Sequence, residues 1–581
     1  MSISNTSTLA SASPPSPRSG PSRVERLLPI VGWVRHYQRA DLRFDVLAGL
    51  TLAAFAVPES LAYASLAGLE PQVGLYAGVA AMMTYAVFGS SRLLGVGVTS
   101  ALAIMTAGTI GGLAGGDAGK AATLAALATL VAGAAAIIGW LLRLGFLANL
   151  VSRSVLTGFS AGAGLYIGST QLAKLFGVEA GEGEFFSRVI DFARQVGHTH
   201  PLTLGVGSVA LALLLAGKRL APRLPMPLIV VALALALAPV LKLGNRGVEV
   251  VGSIPPGLPK PSLPLDALDT WGALVPLGLS LFLLSYVEGV SAARSLAAKH
   301  GGRVDPNQEM LANGAGNAMA GLFQGMPVGG SLTRSSVSVE SGARTQLSGA
   351  VGGVVMLVVV AFFTGVFANL PEAVLAAVVL VAVVELVDLR ALKQIFARSR
   401  REFTIAALTG LSVLLVGMLG GILTGVVLSL LDLLERATFP HVAELRRIPG
   451  TEAYADREGH PDYEAEEGVL VLRIDASLVF ANAHTVKEDV LERIRRSTTP
   501  IRLLVLDLEA SPMMDLSGAD MIDKLSQALE AQKVKLKVVG ANASERRLLR
   551  SLPSGRFADL EPGASIGRVM PDRDPDATTA P

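Results

Sequence analysis

Apolar stretches follow one another from Val46 to Glu435, separated by short breaks of Gly, Pro or charge; after His441 the texture turns to dense charge with short apolar runs. A helix needs roughly 20 mostly apolar residues to cross the hydrocarbon of a bilayer. Residues 121–142, 155–176, 202–215, 228–241, 274–287, 347–367 and 405–431 meet that pattern or come close to it. The last is long enough for a helical hairpin, with a break predicted near Gly420 and Gly421. With the shorter pieces, the pattern predicts about fourteen spans.

Two stretches depart from ordinary spans. Residues 95–107 (GVGVTSALAIMTA) and 325–342 (GMPVGGSLTRSSVSVESG) are short, interrupted by Gly and rich in hydroxyls. Short, broken segments at matching places in two halves point to a transport site, where half-helix N-termini meet an anion near the midplane. Glu59 precedes Thr99 by 40 residues and Glu288 precedes Thr333 by 45, the near-equal spacing that two diverged repeats would leave. Carboxylates at membrane depth are costly and are functional by default.

Beyond Leu434, residues 468–475 and 501–508 read as buried strands, 484–497 and 517–531 as helices, and 534–540 as a further strand. Alternating strand and helix predict a small α/β domain.

Charge refines this division. Only 17% of the chain is charged, against about 25% in soluble domains. Cytoplasmic placement of the N-terminus puts Arg92, Arg143, Arg153, Lys218, Arg219, Arg223, Lys299, Arg303 and the cluster from Arg390 to Arg401 in inside loops, as the positive-inside rule requires. The opposite loops 70–74 and 369–372 hold no Lys or Arg; the longer loops 174–194 and 242–260 are basic exceptions. Residues 1–22 are Ser- and Pro-rich without the apolar run of a signal peptide, and read as a disordered cytoplasmic tail. A net charge of +2 gives no reason to expect nucleic acid, and with no cysteine there are no disulfides or thiolate metal sites. The histidines His36, His198, His200 and His300 suggest no metal centre, and no phosphate-binding Gly-x-x-x-x-Gly-Lys-Ser/Thr loop is present.

Three motifs in order give the chain a family likeness. Val57-Pro58-Glu59-Ser60-Leu61-Ala62-Tyr63-Ala64, with Ala67-Gly68-Leu69-Glu70-Pro71 and Gly74-Leu75-Tyr76, resembles the first-span signature of the SulP anion transporters, the family that includes prestin and the pendrin-like exchangers. The stretch from Pro327 to Ser348 resembles that family's tenth span. Leu472-Arg473-Ile474-Asp475 with Phe480-Ala481-Asn482-Ala483 resembles the opening of its C-terminal STAS domain.

The resemblance implies a polytopic α-helical membrane protein: two inverted repeats of seven spans, divided into core and gate, followed by an α/β STAS domain. It implies a homodimer in the inner membrane, with the N-terminus and STAS domain cytoplasmic and an elevator-like movement of the anion site. The corresponding divisions are 1–42 (N-terminal segment), 43–437 (transport domain), 438–568 (linker and STAS domain) and 569–581 (disordered tail). Carried over by position, the substrate site takes Glu59 and Tyr63 from the first span, Thr99 and Ser100 from the third, and Gly329, Gly330, Thr333 and Arg334 from the tenth. The glycines would let backbone amides approach the ion, and Arg334 would add positive charge. Gly97-Val98 stands where the family commonly has Gly-Pro. Glu288 matches the acidic position of the eighth span, which proton-coupled relatives use as the proton carrier; Glu59 is a second acid for that role. H⁺ is the expected coupling ion and Na⁺ the alternative, with no other cofactor and no enzymatic activity. The expected partners are a small inorganic or organic anion (sulfate, bicarbonate or a C4-dicarboxylate), membrane lipids and a cytoplasmic partner for the STAS domain.

Plainer readings stand beside these. Glu59 and Glu288 could be structural acids, Tyr63 ordinary packing, the hydroxyls fillers for broken backbone, and Arg334 a span-end residue reaching the headgroups. A membrane sensor with STAS output, or a soluble C-terminal enzyme, are the rival functions; no nucleophile–base set supports the enzyme. In the STAS domain, Asp515-Leu516-Ser517-Gly518 puts Leu516 where related anti-sigma-factor antagonists carry a phosphorylated Ser, so that switch is expected to be missing. Ser517 is predicted to cap the following helix.

Overall fold

The computed structural model describes residues 23–570 apart from 150–151, 180, 182–184, 221–225, 253, 256, 259, 264–269 and 461. The terminal tails predicted over 1–22 and 571–581, and Arg223 of the inside loops, lie outside the described residues. The chain divides into two compact units, one ending at Ser429 and one beginning at Leu430.

In the membrane unit, α1 (Leu42–Leu66) and α2 (Pro71–Phe88) lead into a three-residue strand, β1 (Gly95–Gly97), and a short helix, α3 (Ser100–Ala114). Next come α4 (Ala118–Leu141), α5 (Arg153–Phe176), α6 (Pro201–Leu220) and α7 (Met226–Val240). The same order then recurs: α8 (Trp271–His300), α9 (Pro306–Leu322), β2 (Gly329–Ser331) with a short helix α10 (Leu332–Glu340), α11 (Leu347–Val358), α12 (Glu372–Leu386) and α13 (Arg400–Thr438). Among the described residues six helices are long and apolar enough to cross a membrane, and shorter apolar helices accompany them; the set fits about fourteen spans. The basic cluster from Arg390 to Arg401 lies on a short helix, Leu389–Arg398, and on the start of α13.

Small residues let these helices approach closely. A Cβ on Gly133 of α4 would meet the Ala318 nitrogen of α9 at 2.6 Å, and one on Gly158 of α5 would fall on the Ala406 carbonyl of α13. The predicted hairpin break is displaced. Gly417 leaves helical geometry with φ 83° and ψ 178°, a region in which a side chain is strained. Gly420 and Gly421 stay within the helical run, and a Cβ on Gly421 would strike Val413. The paired glycines therefore serve packing, and Gly417 makes the break.

In the second unit the sheet order is β4–β3–β5–β6–β7, formed by β3 (Val442–Arg447), β4 (Tyr454–Asp456), β5 (Val469–Ile474), β6 (Leu503–Asp507) and β7 (Lys535–Val539). Strands β5, β6 and β7 are parallel; β3 runs antiparallel to both β4 and β5. Helices α14 (Ala483–Arg496), α15 (Leu516–Ala531) and α16 (Ala543–Arg550) complete it. Leu472, Leu504, Leu506 and Leu508 share a core with Val486, Val490, Ile522 and Leu525, so helices cover one face of the sheet. The cap of α15 differs from expectation: Asp515 accepts from the Gly518 amide at 2.9 Å, and Ser517 lies inside the helix. A carboxylate at the N-cap is well placed to take the third amide, which leaves Ser517 no cap to make.

Candidate functional site

The two broken segments meet. Strands β1 and β2 pair antiparallel, with Gly95 opposite Ser331, Val96 opposite Gly330 and Gly97 opposite Gly329. Each strand runs into a helix N-terminus, so α3 and α10 start from a common two-stranded ladder with their free amides turned toward it. Such ends carry roughly half a positive charge and unpaired N–H donors. Thr99 caps α3 by accepting from the Leu102 amide at 3.4 Å. Ser331 caps α10 by accepting from the Arg334 amide at 3.3 Å. The Ser335 hydroxyl stitches the halves together: it donates to the Ser331 carbonyl at 2.6 Å and accepts from the Gly95 amide at 2.8 Å.

Arg334 is fully enclosed, with no exposed surface. Its Nε donates to Glu59 Oε2 at 3.1 Å, and Nη2 donates to the same oxygen and, at 2.8 Å, to the Val98 carbonyl. Its Nη1 is buried with no hydrogen-bond partner. Glu59 comes from the middle of α1, directly after Pro58, which interrupts the helical hydrogen bonds there. The Tyr63 phenol, one turn further along α1, bonds to Glu59 and to Ser100. A Cβ on Gly97 would fall on Arg334 Nη1, so the Gly of the Gly97-Val98 pair is required, and the Val98 carbonyl helps to hold the guanidinium.

Of the residues singled out in the sequence, Glu59, Tyr63, Ser100 and Arg334 thus form one cluster at the start of α3 and α10. Arg334 does not stand as an uncompensated charge: Glu59 neutralises it. The Thr99 hydroxyl is used by its cap, and Thr333 is exposed on the first turn of α10. Gly329 and Gly330 lie within β2 and allow α8 to pack against the ladder. A Cβ on Gly330 would meet the Gly289 Cα at 2.7 Å, and one on Gly329 would meet Ser285 Cβ at 3.2 Å. Glu288 is the residue before that contact. It is partly buried, and no hydrogen bond or ion pair reaches it among the described residues.

Sequence reasoning missed the framework that holds the ladder. Asn317 on α9 grips Val328 just ahead of β2, with its Nδ2 donating to the Val328 carbonyl and its Oδ1 accepting from the Val328 amide, both at 3.0 Å. Buried Glu309 accepts from the Tyr85 hydroxyl, the Ser90 amide and hydroxyl, and the Ser91 amide, within 2.7–3.1 Å, and so fixes the loop that leads into β1. Asp45 does the same for Arg344 and Thr345 beyond α10, accepting from their amides at 2.8 and 3.0 Å. The signal was present in Asp305-Pro306-Asn307-Gln308-Glu309, where a capping Asp and a first-turn Pro open an apolar helix.

In the α/β unit, burial pushes the Asp507 carboxyl above its ordinary value, aided by Glu509 and Asp475 and opposed by the Glu509 amide and Arg473. His441, Asp456 and Glu458 bring three ligand atoms within 4.8 Å of one another, a grouping that the sequence did not suggest. The Asp456 oxygens already engage the His441 ring at 3.3 Å and the Glu458 amide at 2.9 Å.

The sulfate permease family profile matches residues 42–409, and the STAS domain profile matches 460–560. A probable sulfate transporter of Mycobacterium tuberculosis is 37% identical over 517 residues, covering 89% of this chain and 92% of its own. Probable sulfate transporter 4.2 of Arabidopsis thaliana is 32% identical over 539 residues, covering 89% and 79%. In fold, the structure of the murine solute carrier 26 family member A9 anion transporter in the inward-facing state superposes with a TM-score of 0.84 at 24% identity, over 94% of this chain and 93% of that one. The chain therefore belongs to the sulfate permease family, as a multi-pass membrane transporter, not an enzyme, with a C-terminal STAS domain.

Proposed function

We propose that the protein is a secondary active transporter that moves a small oxyanion of the sulfate, bicarbonate or C4-dicarboxylate class together with protons. The observation that carries this reading is the pair of half-helix N-termini at one ladder with a buried guanidinium between them, still holding unspent donors on Nη1. Helix ends and a guanidinium can replace the hydration of an oxyanion, and the names of the relatives, sulfate transporters, favour sulfate first. Glu288 is the proposed proton carrier: a partly buried carboxyl without a hydrogen-bond or ion-pair partner among the described residues, adjacent to the glycine that packs on the ladder. In this reading the protein is a homodimer of the inner membrane, the N-terminus and the STAS domain face the cytoplasm, the STAS domain regulates transport, and the ladder region shifts across the membrane as an elevator. The domain divisions at residues 42, 437 and 568 belong to the same proposal.

Uptake of radiolabelled sulfate, bicarbonate and fumarate into proteoliposomes, under imposed pH or Na⁺ gradients, tests it. Accumulation driven by an inward proton gradient is expected for at least one of the three. Accumulation driven by Na⁺ alone assigns the coupling to sodium. No uptake under either gradient overturns the transport reading. Glu288→Gln is expected to abolish proton-driven accumulation while preserving folded protein; accumulation equal to wild type removes Glu288 from the role.

A further inference from the structure

The turn that follows α2 and the turn that follows α8 each carry one arginine, Arg92 and Arg303, and both are exposed. Among the described residues no hydrogen bond or ion pair reaches either guanidinium. The two turns wall a single cleft of about 510 Å³, with Ser90 to Leu93 on one side and the end of α8 with Gly301 to Val304 on the other. The only charged residues in its lining are the two arginines. The acids of the adjoining α9 are engaged within the protein: Asp305 accepts from the Asn307 and Gln308 amides at 2.9 and 3.2 Å, and Glu309 holds Tyr85, Ser90 and Ser91. The amides of Gly302 and Arg303 make no hydrogen bond among the described residues, and a Cβ on Gly301 or Gly302 would meet nothing within 4 Å, so this backbone is open to the cleft.

We propose that this cleft is a second anion site, apart from the ladder, that takes a phosphate or sulfate group. Two guanidinium forks without a counter-charge match the oxygens of such a group. The walls are fixed before any ligand arrives. The Ser90 hydroxyl accepts from the Asp305 amide at 3.2 Å and donates to Glu309 at 2.7 Å, so the turn after α2 is tied to the start of α9. The floor is apolar: Leu93, Leu296 and Val304 belong to one hydrophobic cluster. Cationic walls over an apolar floor suit a phosphate that carries an apolar extension, as the headgroup of an anionic phospholipid does, and the cleft is roomier than a single oxyanion requires. With the N-terminus inside, Arg92 and Arg303 lie on the cytoplasmic side, where basic pockets between spans take lipid headgroups. Free phosphate or sulfate offers the same oxygens without the extension. Either ligand would bridge the turn that leads into β1 and the turn that leads into α9.

The test compares the purified full chain with the double variant Arg92→Gln/Arg303→Gln and with a control, Arg143→Gln/Arg219→Gln, that removes the same charge from exposed positions outside the cleft. All four side chains are exposed, so each variant is expected to fold, checked by size-exclusion chromatography. One arm measures retention of phosphatidylglycerol against phosphatidylcholine by native mass spectrometry; the other measures binding of inorganic phosphate and of sulfate by calorimetry in a neutral detergent. The cleft variant is expected to lose at least about tenfold in affinity for phosphatidylglycerol, with the control unchanged. That loss in the lipid arm alone assigns the cleft to a headgroup. A loss confined to inorganic phosphate or sulfate assigns it to a free oxyanion, and a loss in both arms assigns it to the shared group. Equal losses in the cleft variant and the control reduce the effect to general surface charge and overturn the site. Binding unchanged in the cleft variant, or no binding of any probe by wild type, overturns it as well. Because neither arginine belongs to the ladder, transport can stand or fail independently of these outcomes.

Discussion

Arg334 is held by what it neutralises as much as by what it could bind, and this changes how its variants must be read. Arg334→Ala leaves Glu59 buried without its cation, a loss on the order of 3–5 kcal/mol of stability where a buried pair is broken. Lost anion binding in that variant would thus mix a missing ligand with a disturbed fold. The double variant Arg334→Ala/Glu59→Gln is expected to recover much of the stability but none of the binding, as measured by thermal unfolding and calorimetry on the same samples. Thr333→Val, on an exposed turn with no hydrogen bond among the described residues to lose, is expected to change stability by less than about 0.5 kcal/mol. Gly330→Leu is expected to disrupt the packing of α8 on the ladder, so its loss of binding reports the clash with Gly289 as well as any loss of space for the ion. The members of the cluster were legible from motif: Glu59, Tyr63, Ser100 and Arg334 all stood out in the sequence. Their pairing was not. Glu59 and Arg334 are 275 residues apart, and no local period or spacing encodes which acid meets which base.

At the level of elements, turns and caps were harder to place than spans. Long apolar helices announce themselves by composition, whereas a break depends on the backbone angles of one residue. Gly420-Gly421 is the louder signal, yet Gly417 takes the positive φ because the pair is committed to contact with the opposing arm. Strands β3 and β4 escaped notice for a related reason: Val442–Arg447 is half charged, and its apolar residues Val442, Ala443 and Leu445 show their purpose only once β5 is beside them. The cap of α15 gives a direct check. Asp515→Ala is expected to lower the stability of the α/β unit by about 1 kcal/mol and Ser517→Ala by much less, read as the soluble-domain transition in chemical unfolding of the full chain. Equal effects from the two variants would return the cap to Ser517.

For the whole molecule, the boundary between the units decides where the chain can be cut. Truncation after Thr451 keeps β3 but removes β5, exposing Val442, Ala443 and Leu445 on an unpaired strand, and such edges aggregate. Truncation after Thr438, where α13 ends, avoids this. The shorter chain is expected to remain monodisperse in size-exclusion chromatography, while the longer one forms aggregates. The α/β unit also carries its own pH signature. Because the folded-state pKa of Asp507 is raised, the folded form binds that proton more tightly, and the contribution to stability falls as pH rises through the carboxylate range. Asp507→Asn, which keeps an oxygen for the Glu509 amide, is expected to raise the melting temperature of the soluble-domain transition at pH 7, with the gain shrinking as pH is lowered toward 4. The ladder of β1 and β2 carries a last consequence. Its strands are paired to each other, the helices they lead into are capped by their own serine and threonine, and the second strand is clamped by Asn317, so the site forms one connected cassette. Under the proposed elevator movement, a cassette that keeps its internal geometry would offer the same ligand set on either side of the membrane. In the proposed secondary transport, such a machine would have no intrinsic preference for import over export: direction would be written in the gradients, and reversing them would reverse the flow.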